Sequence, residues 1–194
     1  LRPIGVLALQ GDWAAHINVL GEIGAQVRTV RTAEELDDVG ALVIPGGEST
    51  AMLRLMEPQD LAGRIVERVA SGMAVLATCA GVILLAREVR PQQRCLGVLG
   101  VDVERNAYGR QLYSTVAEID LVPSLGEPCR TEGVFIRAPR IVRYDNAVEV
   151  LATWGEDPVL VRQSSILAAT YHPELTNDRR VHRLLLQIGE EANG

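Results

Sequence analysis

A chain of 194 residues, 47% hydrophobic and 23% charged, can bury a sizeable core in one domain and is short for two. Its net charge of −6 argues against a general nucleic-acid binder, which shows a basic face, and no apolar run approaches the length of a membrane span. All 19 basic residues are arginine, so the chain has no lysine for a Schiff base or a P-loop.

The first half alternates strand and helix. Residues 4–9 form a continuous apolar run suited to a central parallel strand. Ile17, Leu20 and Ile23, with polar residues between, predict a helix over 16–23. Short strands follow at Val27–Val30 and Ala41–Ile44. Pro45-Gly46-Gly47 then breaks the chain before a helix starting near Ser49, and a further helix is expected over 58–72. Residues 73–77 read as a buried strand, 78–81 as a tight turn and 82–86 as the start of a helix. From about Gly97 short strands are expected at 101–104, 112–119, 134–136, 148–153 and 159–162. The last strand is expected at 165–171 and a closing helix over 178–188. The pattern predicts an α/β fold in three layers: a mostly parallel central sheet flanked by helices, with an antiparallel extension, residues 1–194 forming a single domain.

Four polar turns directly follow predicted strands: Gln10-Gly11-Asp12, Pro45-Gly46-Gly47-Glu48-Ser49, Thr78-Cys79-Ala80-Gly81 and His172-Pro173-Glu174. In an open α/β sheet ligands bind outside the carboxyl ends of the strands, so parallel strands would gather these turns at one edge. Cys79 would stand in a strand–turn–helix setting, where exposed N–H groups and the helix dipole favour thiolate. A nucleophile elbow has this form, although Ala77 stands where its pattern usually has glycine. His172 would serve as base, and Glu174, two residues on, as the carboxylate that orients it, with Pro173 fixing one backbone torsion between them. Cysteine, histidine and glutamate so arranged suit acyl transfer through a thioester. Such a reaction needs two N–H donors for its oxyanion, and Gly47 and Ala80 are the natural pair.

Other candidates are less determined. Glu48 is placed either to read a substrate amine or to cap the following helix. Arg105 and Arg137 lie in polar-aromatic segments, as solvated loop residues or as anchors for a substrate carboxylate. His16 and His182 fall in helical patterns with polar neighbours and are expected at the surface or facing a partner. Cys79, Cys95 and Cys129 form no CxxC pair, which suits a reduced cytoplasmic protein better than a disulfide scaffold or zinc site.

The segments Leu7–Asp12, Pro45–Thr50, Thr78–Gly81, Val103–Gln111, Phe135–Pro139 and His172–Thr176, in that order, resemble the class I glutamine amidotransferases. The GGEST, ERNAYGRQ and FIRAP stretches resemble in particular the glutaminase subunits of pyridoxal 5′-phosphate synthase, with Tyr108 where phenylalanine is more usual. The resemblance implies that Cys79 attacks the side-chain amide of L-glutamine while His172 and Glu174 handle the protons. It implies glutamine contacts at Gly47, Glu48, Ser49, Arg105, Ile136 and Arg137, and no cofactor or metal. It implies delivery of ammonia to a separate synthase subunit in a hetero-oligomer, which would supply any imine-forming lysine. Gln10 is expected at the interface with that synthase, and activity is expected to be weak until it docks. Two alternatives are a glutaminase serving another synthase and a non-catalytic regulatory subunit; the retained cysteine and histidine weigh against the second.

Overall fold

In a computed structural model, residues 2–108 and 114–193 are described. Strands β1 (Ile4–Leu7), β2 (Val27–Val30), β3 (Ala41–Ile44) and β4 (Ala74–Thr78) run parallel, and β12 (Ile166–Ala169) pairs parallel with β4. Beyond β12 the sheet continues antiparallel through β11 (Asp157–Gln163), β10 (Glu149–Trp154), β7 (Ser114–Leu121) and β8 (Arg130–Ile136). The order of the nine strands is β2-β1-β3-β4-β12-β11-β10-β7-β8.

Alternation along each central strand builds the layers, because successive side chains point to opposite faces. Ile4, Val6, Val43, Ala74 and Leu76 join one apolar cluster with Leu20 of α1 (Trp13–Glu22) and Val181, Leu185 and Ile188 of α6 (Arg180–Asn193). Leu7, Leu42, Ile44, Val75 and Ala77 join another, with Leu36 of α2 (Ala33–Asp37) and Met52 of α3 (Ser49–Met56). Ile65 of α4 (Leu61–Ala70) and Val82 of α5 (Ala80–Leu85) complete that second cluster. The three-layer α/β architecture with an antiparallel extension is therefore the one the sequence predicts.

Several details differ from the sequence reading. The helix expected over 58–72 begins as a single 3₁₀ turn, Glu57–Gln59; the chain then turns at Asp60, whose φ of 47° is left-handed and whose carboxylate caps α4 through the Gly63 N–H. The helix after Cys79 has only six residues and passes straight into β5 (Ala86–Arg90), Ala86 already being extended at φ −54° and ψ 156°. Strand β5 pairs with β6 (Leu99–Glu104), and β6 with β9 (Arg140–Tyr144), in a separate three-stranded sheet. In β9 only Ile141 is buried, so its sequence lacks the apolar alternation that marks a strand.

Candidate active site

Strands β4 and β12 end side by side, and the ladder between them runs one bond further, from the Cys79 N–H to the Ala169 carbonyl at 2.8 Å. Cys79 itself takes φ 48° and ψ −106°, a conformation a non-glycine residue adopts at a cost of about 1–3 kcal/mol. It turns the strand sharply into α5, so the side chain stands at the sheet edge. The elbow leaves no room beneath it: a Cβ on Gly81 would lie 2.4 Å from the Ile44 carbonyl oxygen. Ala77 is buried within β4, one residue before the strand's end, and does not obstruct the turn. Cys79 is 7% exposed, with Sγ 3.6 Å from the Ile136 carbonyl oxygen.

His172 follows β12, and its N–H donates to the Val134 carbonyl at 2.8 Å, which ties the segment to β8. Pro173 opens a 3₁₀ turn, Pro173–Leu175, that brings Glu174 back beneath the imidazole. His172 Nδ1 donates to Glu174 Oε1 at 2.7 Å, leaving Nε2 as the ring's other hydrogen-bonding atom. Burial alone would lower the His172 pKa, but the Cys79 side chain and the Glu174 carboxylate overcome it and raise the pKa to about 10. Burial likewise works against the Glu174 carboxylate, yet the bond from His172 and the nearby His16 hold its pKa below the usual range. The environment therefore favours a charged His172–Glu174 pair beside Cys79.

An open cleft of about 300 Å³ lies over this pair, in the size range of small-metabolite sites. Cys79, His172, Gly47, Ala80 and Gln10 line it, and so do Glu48, Ser49, Arg105, Ile136 and Arg137. Every candidate named from the sequence is thus at the cleft except Glu174, which sits buried behind His172. Gly46 and Gly47 are needed for closeness: a Cβ on Gly46 would stand 2.5 Å from His172 Cε1, and one on Gly47 2.4 Å from Gln10 Oε1. Gln10 Oε1 accepts the Glu48 N–H, which locks the first turn onto the second. Glu48 caps α3, its two oxygens accepting from the Thr50 and Ala51 N–H groups at 3.1 and 2.7 Å. Its carboxylate is held below the usual range by the Thr50 hydroxyl, those amides and Arg105.

Two expectations fail, and one partner went unforeseen. His16 and His182 are not at the surface: both are fully buried, with His16 Nδ1 3.0 Å from His182 Nε2. The signal was present, because His16 shares the inward stripe of Val19, Leu20 and Ile23, and His182 that of Val181 and Leu185. Gln93 is the unforeseen partner. Its Oε1 accepts from Arg105 Nη1 at 2.6 Å, and its amide bonds Ser49 Oγ at 3.1 Å, so it joins two cleft residues. No spacing in the sequence marks it. Tyr108 packs against Trp154, ring centroids 5.2 Å apart and tilted by 38°, within an aromatic cluster that includes Phe135. Gly109, Arg110 and Gln111 of the ERNAYGRQ segment lie outside the described residues. Among the described residues no group of three or more His, Cys, Asp or Glu side chains is placed to hold a metal ion.

A family model, the SNO glutamine amidotransferase family, matches residues 6–191. The pyridoxal 5′-phosphate synthase subunit PdxT of Thermotoga maritima is 49% identical over 187 residues, 95% of this chain and 98% of its own length. That of Pelotomaculum thermopropionicum is 50% identical over 186 residues, 95% of this chain and 93% of its own. A crystal structure of a glutamine amidotransferase superposes with a TM-score of 0.89 at 44% identity, covering 96% of this chain and 98% of that one. The structure of PurLQS from Thermotoga maritima, at 16% identity and a TM-score of 0.73, shares the fold; it covers 96% of this chain and 99% of that one.

Proposed function

The chain belongs to the SNO glutamine amidotransferase family, and from that premise we propose that Cys79, His172 and Glu174 are its catalytic triad. It hydrolyses L-glutamine and supplies the ammonia to pyridoxal 5′-phosphate synthase, in vitamin B6 biosynthesis. The observation that carries the triad is its geometry: a strained cysteine at a strand–helix elbow, beside a histidine whose Nδ1 lies 2.7 Å from a buried glutamate.

In the proposed reaction the thiol proton rests on His172, and the Cys79 sulfur attacks the glutamine Cδ. The oxyanion is received by the N–H groups of Gly47 and Ala80. The imidazolium then gives its proton to the departing nitrogen, which leaves as ammonia, and the γ-glutamyl thioester remains. Water, deprotonated by His172, attacks that carbonyl and releases glutamate and the thiol. Glu174 holds the Nδ1–H throughout and stabilises the imidazolium. Gly47, Glu48, Ser49, Arg105, Ile136 and Arg137 form the glutamine pocket. Arg105 is the charged anchor, and its bond to Gln93 supports a fixed guanidinium.

Gln10 forms the contact with the synthase subunit in this reading. Its bond to the Glu48 N–H and its closeness to Gly47 offer a direct route by which docking would set the oxyanion turn. We also take residues 1–194 as one domain, in a reducing cytoplasm. A continuous sheet drawn from residues 4 to 169 supports the first of these, and three free cysteines support the second. The deciding experiment is glutamate release from glutamine, with and without the synthase subunit. Strong activation by that subunit is expected. Full activity alone would remove the gating, and silence in both would remove the assignment.

A further inference from the structure

Behind the cleft runs a line of buried polar groups that the proposed reaction leaves unused. Glu174 gives Oε1 to His172, while Oε2 is buried and finds no hydrogen-bond partner among the described residues. The group that approaches it is His16 Nε2, at 3.4 Å, with both side chains fully buried. The same nitrogen is 3.2 Å from Thr78 Oγ1, which accepts the Gly46 N–H at 3.1 Å. On its far side His16 Nδ1 meets His182 Nε2 at 3.0 Å, and His182 Nδ1 finds no partner among the described residues.

Proton placement in this line is constrained. If His16 carried its proton on Nδ1, its Nε2 lone pair would face a carboxylate oxygen, and His182 would be left with a buried N–H on Nδ1 and no acceptor. With the proton on Nε2, His16 offers a donor to Thr78 and to the unpaired carboxylate oxygen. His182 then donates from Nε2 to His16 Nδ1, and what goes unmet among the described residues is the His182 Nδ1 lone pair and the Thr78 hydroxyl hydrogen. Each arrangement leaves one buried donor unmet, and only the first also sets a lone pair against the carboxylate. The second arrangement is favoured.

We propose that His16 is a positioning residue: its Nε2–H, bonded to Thr78 Oγ1 and facing Glu174 Oε2 at 3.4 Å, holds the triad carboxylate beneath His172 by charge–dipole attraction and ties it to the Gly46-Gly47 turn. The inference rests on the triad role of Glu174. A neutral His16 suits the task, since a cation there would compete with His172 for the carboxylate. Burial lowers the pKa of His16, against the pull of Glu174 and Asp12 and with the push of His172. Burial and His16 lower that of His182 to about 3. One imidazole therefore connects the acid of the triad to the turn proposed to receive the oxyanion.

The chain has three histidines, so a nitrogen-15 spectrum of histidine-labelled protein resolves each ring. The expected result at pH 7 is a neutral Nε2–H tautomer for His16 and for His182. An Nδ1–H tautomer or a protonated ring at His16 would overturn the proposal. The kinetic arm uses glutamate release in the presence of the synthase subunit. His16→Leu, which keeps bulk and removes the donor, should lower kcat about tenfold to a hundredfold with KM within about twofold, as loss of a bond to a charged group does. His16→Gln, which returns an N–H near the Nε2 position, should recover kcat to within about fivefold of wild type. In a Glu174→Ala background His16→Leu should change kcat less than about threefold, because the two act as one unit. Equal losses in the Gln and Leu variants, or additivity with Glu174→Ala, would leave His16 a packing residue only. If Leu does not fold, the Gln variant and the spectrum decide. A wild-type chain inactive with its synthase would overturn the glutaminase reading itself, and the spectrum would still judge the tautomer.

Discussion

Gly46→Ala tests how closely the site is packed. The new Cβ would lie 2.5 Å from His172 Cε1 and 3.2 Å from Cys79 Cβ, where an ordinary contact is 3.4–4 Å. Gly46 has no positive φ, so alanine fits its backbone, and the strain falls on the imidazole. To restore contact distance the ring must move by about 1 Å, a misplacement that costs on the order of a hundredfold in rate. Overpacking should lower stability by only about 1–3 kcal/mol, because a side chain can yield where backbone cannot. The expected outcome is therefore a folded protein with kcat for glutamate release down about a hundredfold and KM changed far less. Gly21→Ala is the control: it lies inside α1 with nothing within 4 Å of the added carbon, and should raise stability by roughly 0.4–1 kcal/mol with unchanged kinetics. Gly46→Ala retaining kcat within about threefold of wild type would refute the claim that this glycine sets the position of His172.

Cys79→Ala should abolish glutamate release while a pull-down with the synthase subunit is unaffected; turnover well above background would remove Cys79 as nucleophile. Arg105→Ala should mainly raise the glutamine KM, since it removes the proposed anchor and its 2.6 Å bond to Gln93, and an unchanged KM would move the anchor elsewhere. His172, raised from 6.5 to about 10 in the folded state, contributes stability that is present below pH 6.5 and lost as pH rises through 10. Thermal melts should fall across that window, and Glu174→Gln should shallow the slope; an equal slope in both would disprove the pairing. His182, lowered from 6.5 to about 3, acts in the opposite sense: stability present above pH 6.5 is lost as pH falls towards 3, by up to ~1.4 kcal/mol per pH unit. His182→Gln should blunt that acid loss, and an unchanged acid limb would show that burial does not depress this ring.

The four turns that make the cleft were legible in the sequence because each is local. Apolar runs ending in Gln10-Gly11-Asp12, Pro45–Ser49, Thr78–Gly81 and His172–Glu174 announce strand ends, and parallel pairing then brings those ends to one edge. Cys79, His172 and Glu174 need only that rule and a two-residue spacing to be nominated. The three-stranded sheet was harder to see. In β9 the polar residues outnumber the buried one, and β5 lies in what reads as the continuation of a helix.

What the sequence alone determined is the layer order, the edge where the cleft lies and the candidates for its reactive groups, since these follow from periodicity and from turn chemistry over a few residues. The tertiary structure decided everything that depends on contacts between distant segments. It buried His16 against Thr78 and His182, 62 and 166 residues away, and set Gln93 between Ser49 and Arg105. It also gave the Glu48 carboxylate to its own helix, a choice that dipole and spacing left open. The physical reason is the same in each case: a polar side chain's role depends on which partner reaches it when water is excluded, and that partner is fixed only by packing.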